Sequence, residues 1–228
     1  MKSRVALASL CALATPAFAQ EAPAPAAAPA AVPAPAAQCE LHVWPAQKFQ
    51  ATTTGWGMGF GMIGAALDSA GHAKGDKARR SEMASALDSD GQIRALQQMD
   101  LVKVLDLPPS RIVMHAQALD PKTVNKVLSR RAESSAPCYN ELIVTSVAYQ
   151  KAAMWGRSLR TSFMLREFGS NSAAPLIKKT VGGNGLKIFP VKDGEDTSAA
   201  DAELVSVFQK NFVEAAANFA KQKGANGQ

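Results

Sequence analysis

The chain has 228 residues, of which 47% are hydrophobic, 6% aromatic and 19% charged. That apolar fraction excludes disorder throughout, and the lack of a sustained repeat excludes a collagen or coiled-coil rod. No run of about 18 uncharged apolar residues occurs, which excludes a polytopic membrane protein. A formal net charge of +6 is too mild to require a nucleic-acid partner.

Residues 1–19 read as a secretory signal peptide. Lys2 and Arg4 supply the positive start, Val5 to Ala14 the short apolar core, and Ala17-Phe18-Ala19 the small-residue cleavage site. Cys11 does not fit a lipoprotein signal, because Leu10 stands where a small residue is needed. Cleavage removes Lys2 and Arg4, taking the basic count from 25 to 23 against 19 acids, a mature charge of +4. Residues 20–37 hold ten alanines and five prolines, which fix φ and remove backbone donors, so this tract is expected to be a disordered, extended tether. Residues 38–228 remain as a single globular α/β domain with enough chain for a sizeable core. The protein is expected to be periplasmic or secreted.

Cysteine usage sharpens this. With Cys11 in the leader, Cys39 and Cys138 form an even pair, which in an exported chain suggests a disulfide. Each precedes an apolar run, Leu41 to Trp44 and Leu142 to Val147. If those runs are parallel strands, their starts meet at one end of a sheet. Closing a loop of about a hundred residues would stabilise by roughly 4–5 kcal/mol in the chain-entropy picture. Two free buried thiols, or a reactive one, are the alternative.

In chain order, Leu41 to Trp44 is a short strand stopped by Pro45. Residues 58–70 and 76–105 carry helical signals, broken around Asp88 to Gly91, with Ile93, Leu96, Leu101 and Leu105 as an approximate apolar face. Ile112 to Ala116 reads as a strand. Asp120-Pro121 opens a short helix with Val124, Val127 and Leu128 on one side. Glu141 to Lys151 and Ser158 to Phe168 form a long hairpin turning at Trp155-Gly156-Arg157. In its second strand Leu159, Thr161, Phe163 and Leu165 alternate with Arg160, Ser162, Met164 and Arg166, which predicts an arginine-bearing face toward water. Leu186 to Val191 is a further predicted strand. A last helix begins near Ser198, with Asp201 completing a capping box and Leu204, Phe208, Phe212, Ala216 and Phe219 as its stripe. The expected fold is an α/β (α+β) layer: one small mixed sheet with a long antiparallel hairpin, flanked by helices and closed by a C-terminal amphipathic helix.

The most unusual stretch runs from Gly55 to Gly64, five glycines in ten residues. Gly59, Gly61 and Gly64 match G-x-G-x-x-G, but Pro45 ends the preceding strand well before it, so no dinucleotide or other cofactor is expected. Gly57, Gly61 and Gly64 would instead line one side of a helix and allow close packing on the protein's own sheet. The other reading is that Trp56, Met58, Phe60 and Met62 stay partly exposed and dock onto an envelope component. Next to them, Lys77, Arg79 and Arg80 form a basic cluster that suits anionic lipid or an acidic partner, although Asp76 and Glu82 dilute it. His42, His72 and His115 lack metal-ligand spacing, so no metal site is expected. H-E-x-x-H, G-x-S-x-G and S-x-x-K are absent, and Glu141 and Glu167 flank strands as surface charges do.

The "LHVWPA" strand at 41–46, the "ELIVTSVAYQ" strand at 141–150, the hairpin and the closing helix resemble the periplasmic amino-terminal domain of TolB and curli-secretion-like lipoproteins. That resemblance implies a small mixed sheet used for protein contacts in envelope assembly or export. This chain lacks the lipid-anchored cysteine of the lipoprotein members. The reading is a non-catalytic periplasmic interaction module with an envelope protein as partner and no nucleic acid. An exported enzyme with an unrecognised site, and a peripheral membrane protein acting through residues 56–80, are the alternatives.

Overall fold

A computed structural model describes residues 38–54, 61–169, 174–192 and 194–225, with the side chains of 61–70 and 223–225 outside that description. Within it the chain forms β1 (Cys39–Trp44), β2 (Phe49–Thr54), α1 (Gly61–Ala86), α2 (Ser89–Gln97), α3 (Leu101–Val104), β3 (Ser110–Met114), β4 (Tyr139–Ala152), β5 (Gly156–Glu167), β6 (Leu176–Gly185) and α4 (Ser198–Ala225). The six strands make one mixed sheet in the order β3-β1-β4-β5-β6, with β2 beside the far half of β4. The α/β class, the long hairpin and the closing helix are as expected.

Strand β1 lies parallel to both β3 and β4, and Glu40 pairs with Tyr139. The two residues just before that pair, Cys39 and Cys138, form a disulfide with their Cα atoms 4.7 Å apart. The sheet start therefore aligns the sulfurs, as the two apolar runs implied. Parallel pairing puts alternate residues of β1 on opposite sides. Leu41 and Val43 face the helices, while Glu40, His42 and Trp44 face the other way, yet all five are buried.

The helical side holds the main core. Leu142, Val144, Val147 and Tyr149 of β4 and Leu159, Phe163 and Leu165 of β5 meet Met83 and Leu87 of α1, Leu96 of α2, Leu101 of α3 and the α4 stripe. Leu204, Phe208, Phe212, Ala216 and Phe219 are all buried, so the predicted stripe is the face that packs. Gln92 ties the β1–β2 link to this layer. Its side chain accepts from the Ala46 amide at 2.8 Å and donates to the Ala46 and Leu87 carbonyls at 2.9 and 2.8 Å. Strand β4 carries a bulge between Val144 and Ser146, so inward-facing positions change phase at Thr145.

Several expectations change. Strand β2 was unforeseen because its threonine-rich sequence has no apolar run; Asp76 of α1 secures it by accepting from the Thr53 amide at 3.0 Å and hydroxyl at 2.6 Å. The helix at 120–128 is a series of turns: of its three apolar residues only Val124 is buried. The strand expected at 186–191 lies earlier, as β6. Glu203 of α4 instead takes the Lys187, Ile188 and Phe189 amides at 2.7, 2.9 and 2.8 Å, which withdraws those donors from any ladder. At the start of α4, Asp201 accepts from the Thr197 hydroxyl at 3.0 Å, while the Ser198 amide donates to Asp196 at 3.0 Å, so the expected box between Ser198 and Asp201 is replaced. Helix α1 runs unbroken through Gly71 and Gly75.

At Gly182 the backbone of α4 lies directly against the sheet. A Cβ there would fall onto the Asn211 backbone carbonyl. Gly182→Ala is therefore expected to destabilise by roughly 1–3 kcal/mol as the helix is pushed off β6. Differential scanning calorimetry should show the fall in melting temperature, and an unchanged value would mean that the helix moves aside freely.

Candidate functional site

Two regions gather chemistry-bearing side chains: the sheet face opposite the helices, and the far end of the β4–β5 hairpin.

On the first, β5 departs from expectation. Arg160 is exposed, but Met164 and Arg166 are buried, because the segment between β3 and β4 folds across that face. Val124 and Leu119 from that segment pack on Trp44, Ile143 and Met164. Arg166 pairs with Glu141, which is also fully buried and so is not the surface charge the sequence suggested. Glu167 lies across from Asn140, on the helical face, and pairs with buried Lys178 at 2.7 Å. Arg166 Nη2 also donates to the Leu128 and Ser129 carbonyls at 2.7 and 3.1 Å. These bonds take backbone acceptors out of the stretch expected to be helical. Glu141 further accepts from the Arg131 amide at 2.8 Å and the Tyr139 hydroxyl at 3.0 Å. Burial raises the Tyr139 hydroxyl above its usual range, with the Glu141 charge adding to it.

The second cluster on this face is a relay. Glu40 binds Arg111 of β3, Ser134 and His42, the last at 3.0 Å. His42 Nδ1 lies 2.9 Å from His115 Nε2. With His42 Nε2 donating to Glu40, a neutral His42 accepts at Nδ1 from His115. The His115 ring stacks on Trp44 at 4.1 Å with planes 2° apart. The Arg111 bond first, then Ser134 and His42, holds the Glu40 carboxyl at about 2. Burial, then the nearby His42, lowers His115. Every member is paired within the cluster, so its chemistry is to pin the covering segment to the sheet. Among the described residues no three His, Cys, Asp or Glu side chains converge to hold a metal ion.

Removing one partner of a buried pair leaves the other charge uncompensated. Glu141→Gln is expected to cost about 3–5 kcal/mol, read as a drop in the urea midpoint. An unchanged midpoint would mean that Arg166 and Arg131 find other acceptors.

The pH response follows from the two shifts. A native His115 that resists protonation loses stabilisation as pH falls below its ordinary 6.5. Glu40, lowered from 4.5 to about 2, stabilises above 4.5 and is lost as pH falls through that interval. Melting temperature against pH should decline in two stages. His115→Phe should flatten the first, and Arg111→Gln, by letting native Glu40 return toward its ordinary 4.5, should shrink the second. Variants with the parental profile would contradict these assignments.

At the hairpin end the side chains are open instead. Trp155 is 88% exposed and Met154 76%. Lys151 pairs across the hairpin with Arg157, and β2 closes alongside, Thr54 opposite Ala152. Arg157 donates to the Lys187 and Ile188 carbonyls, bringing exposed Ile188 to the same end. By sequence, 155–157 reads only as a turn. Its overlooked signal is an apolar Met-Trp pair where hairpin turns normally carry Asn, Asp, Ser or Gly.

Of the candidates named from sequence, Cys39 and Cys138 are joined. Trp56, Met58 and Phe60, and the side chain of Met62, lie outside the described residues. Lys77 and Arg80 are exposed on α1. Arg79 is half-buried, bound to Asp76 at 3.2 Å and stacked over Tyr149, so it serves the domain's own packing.

No family model and no curated protein matches the chain. Among solved structures, a hypothetical protein from Chlamydia trachomatis is similar at 12% identity and TM-score 0.31, over 80% of this chain and 95% of that one. A second uncharacterised protein has 12% identity and TM-score 0.24, over 81% and 91%. A lipoprotein from Neisseria meningitidis has 12% identity and TM-score 0.21, over 77% and 99%. Likeness at this level carries no argument about function.

Proposed function

We propose that this protein is an exported, non-catalytic interaction module of the cell envelope, and that its contact element is the end of the β4–β5 hairpin. The observation carrying this reading is the pair Met154 and Trp155, large apolar side chains left almost bare at the tip of an ordered hairpin. The disulfide supports an oxidising compartment. The buried carboxylates and guanidiniums bind one another and backbone groups rather than converging on an open cleft. The tip also adjoins Thr54, after which the chain continues into the stretch containing Trp56, Met58 and Phe60.

The test is photo-crosslinking in intact cells from residue 155, with residue 122, on the exposed turn opposite the helices, as control. Adducts of protein or lipid mass from 155 and none from 122 are expected. Equal labelling, or no adduct from 155, overturns the assignment.

A further inference from the structure

We infer that the partner of the hairpin end is the anionic surface of a phospholipid bilayer, a conclusion that rests on the reading of Met154 and Trp155 as the contact element. The argument is charge complementarity around a small apolar wedge. Trp155 and Met154 project from the turn, and Ile188 is exposed at the same end, brought there by the Arg157 bonds to the Lys187 and Ile188 carbonyls. Around them stand Lys151 and Arg157, cross-strand partners, with Arg160 further down β5 and exposed Lys187 on the adjoining loop.

The acids near this end are hydrogen-bonded within the domain, and Glu214 lines the same hollow as Trp155 and Arg160. Asp76 binds Thr53 and Arg79. Glu203 accepts three backbone amides of residues 187–189, and Glu214 accepts from the Gly183 amide at 2.8 Å and Asn184 at 3.3 Å. These bonds leave Glu203 and Glu214 charged, but Lys151, Arg157, Arg160 and Lys187 outnumber them, so the net charge beside the wedge is basic.

An indole above a cationic collar matches the layering of a membrane surface, with the ring at headgroup depth and lysine or arginine against phosphate. A specific protein interface needs roughly 800 Å² from each side. Two side chains on a narrow turn and one on the adjoining loop offer a point to insert rather than a plane to cover, which favours a fluid surface over a protein one. Among the described residues no helix is long and apolar enough to cross a membrane, so the contact drawn here is peripheral.

The experiment is flotation of the exported protein with vesicles of phosphatidylglycerol in phosphatidylcholine, against phosphatidylcholine alone. Binding to the anionic vesicles that weakens with salt is expected. Trp155→Ala with Met154→Ser should lower the bound fraction roughly tenfold. Lys151→Glu with Arg160→Glu should lower it by more than tenfold, since each charge near an anionic surface is worth roughly fivefold. Both variants avoid Arg157, which holds the neighbouring loop, and should keep the parental melting temperature. The fluorescence difference between parent and Trp155→Ala, which isolates that indole, should shift to the blue on vesicles.

Binding that ignores both double variants overturns the inference, as does equal binding to neutral vesicles. Absence of vesicle binding with protein adducts still forming from residue 155 overturns the lipid partner and leaves the hairpin as contact element. A dimer in sedimentation that Trp155→Ala dissolves, without vesicle binding, assigns the tip to a second copy instead.

Discussion

The parallel alignment of β1 with β4 is the constraint on which the rest of the structure depends. It brings Cys39 and Cys138 together one residue before the Glu40–Tyr139 pair. It also sorts side chains between two very different environments. Leu41, Val43 and Leu142 go to the helices, while Glu40, His42, Tyr139 and Glu141 go to the opposite face. A slip of one residue would exchange these sets, placing carboxylates among the α4 phenylalanines. Register and disulfide thus reinforce one another.

The two faces are held by different physics. The helical side is an extended apolar core, whose burial scales with area and is tolerant of direction. The other side has only a small apolar patch and is locked by directional bonds from Glu40, Glu141 and Arg166 to a segment with little regular structure of its own. Buried ion pairs contribute little net stability against apolar replacements, so their contribution here is to choose one position for that segment.

Much of this was legible where a signal lies within one stretch of chain. The α4 stripe repeats at helical spacing and packs as it reads. The inward set of β5, Leu159 to Leu165, alternates as a strand must. The outward set was misread because its wetness is decided by residues 115–138, which approach from far away in sequence and lack a periodic pattern. Arg166 and Glu141 look like surface charges in isolation, and only their mutual pairing makes burial affordable. Strand β2 is a polar sequence that exists because an edge of β4 and the Asp76 carboxylate were waiting for it. Met154 and Trp155 were visible as letters, but their exposure depends on how far the hairpin extends.

The bulge at Thr145 has a further consequence. Strand β4 borders β1 in its first half and β2 in its second, and from Trp44 to Phe49 the neighbouring chain advances five positions while β4 advances four, Ile143 to Val147. The strand is in effect two reading frames joined by one extra letter: inward residues fall at 142 and 144 before the join, and at 147 and 149 after it. Were the bulge ironed flat with Thr145 kept, that residue would act on the fold as a frameshift acts on a gene. Everything downstream would keep its composition but present Val147 and Tyr149 to the wrong side, whereas deleting Thr145 would leave plain alternation with both still inward.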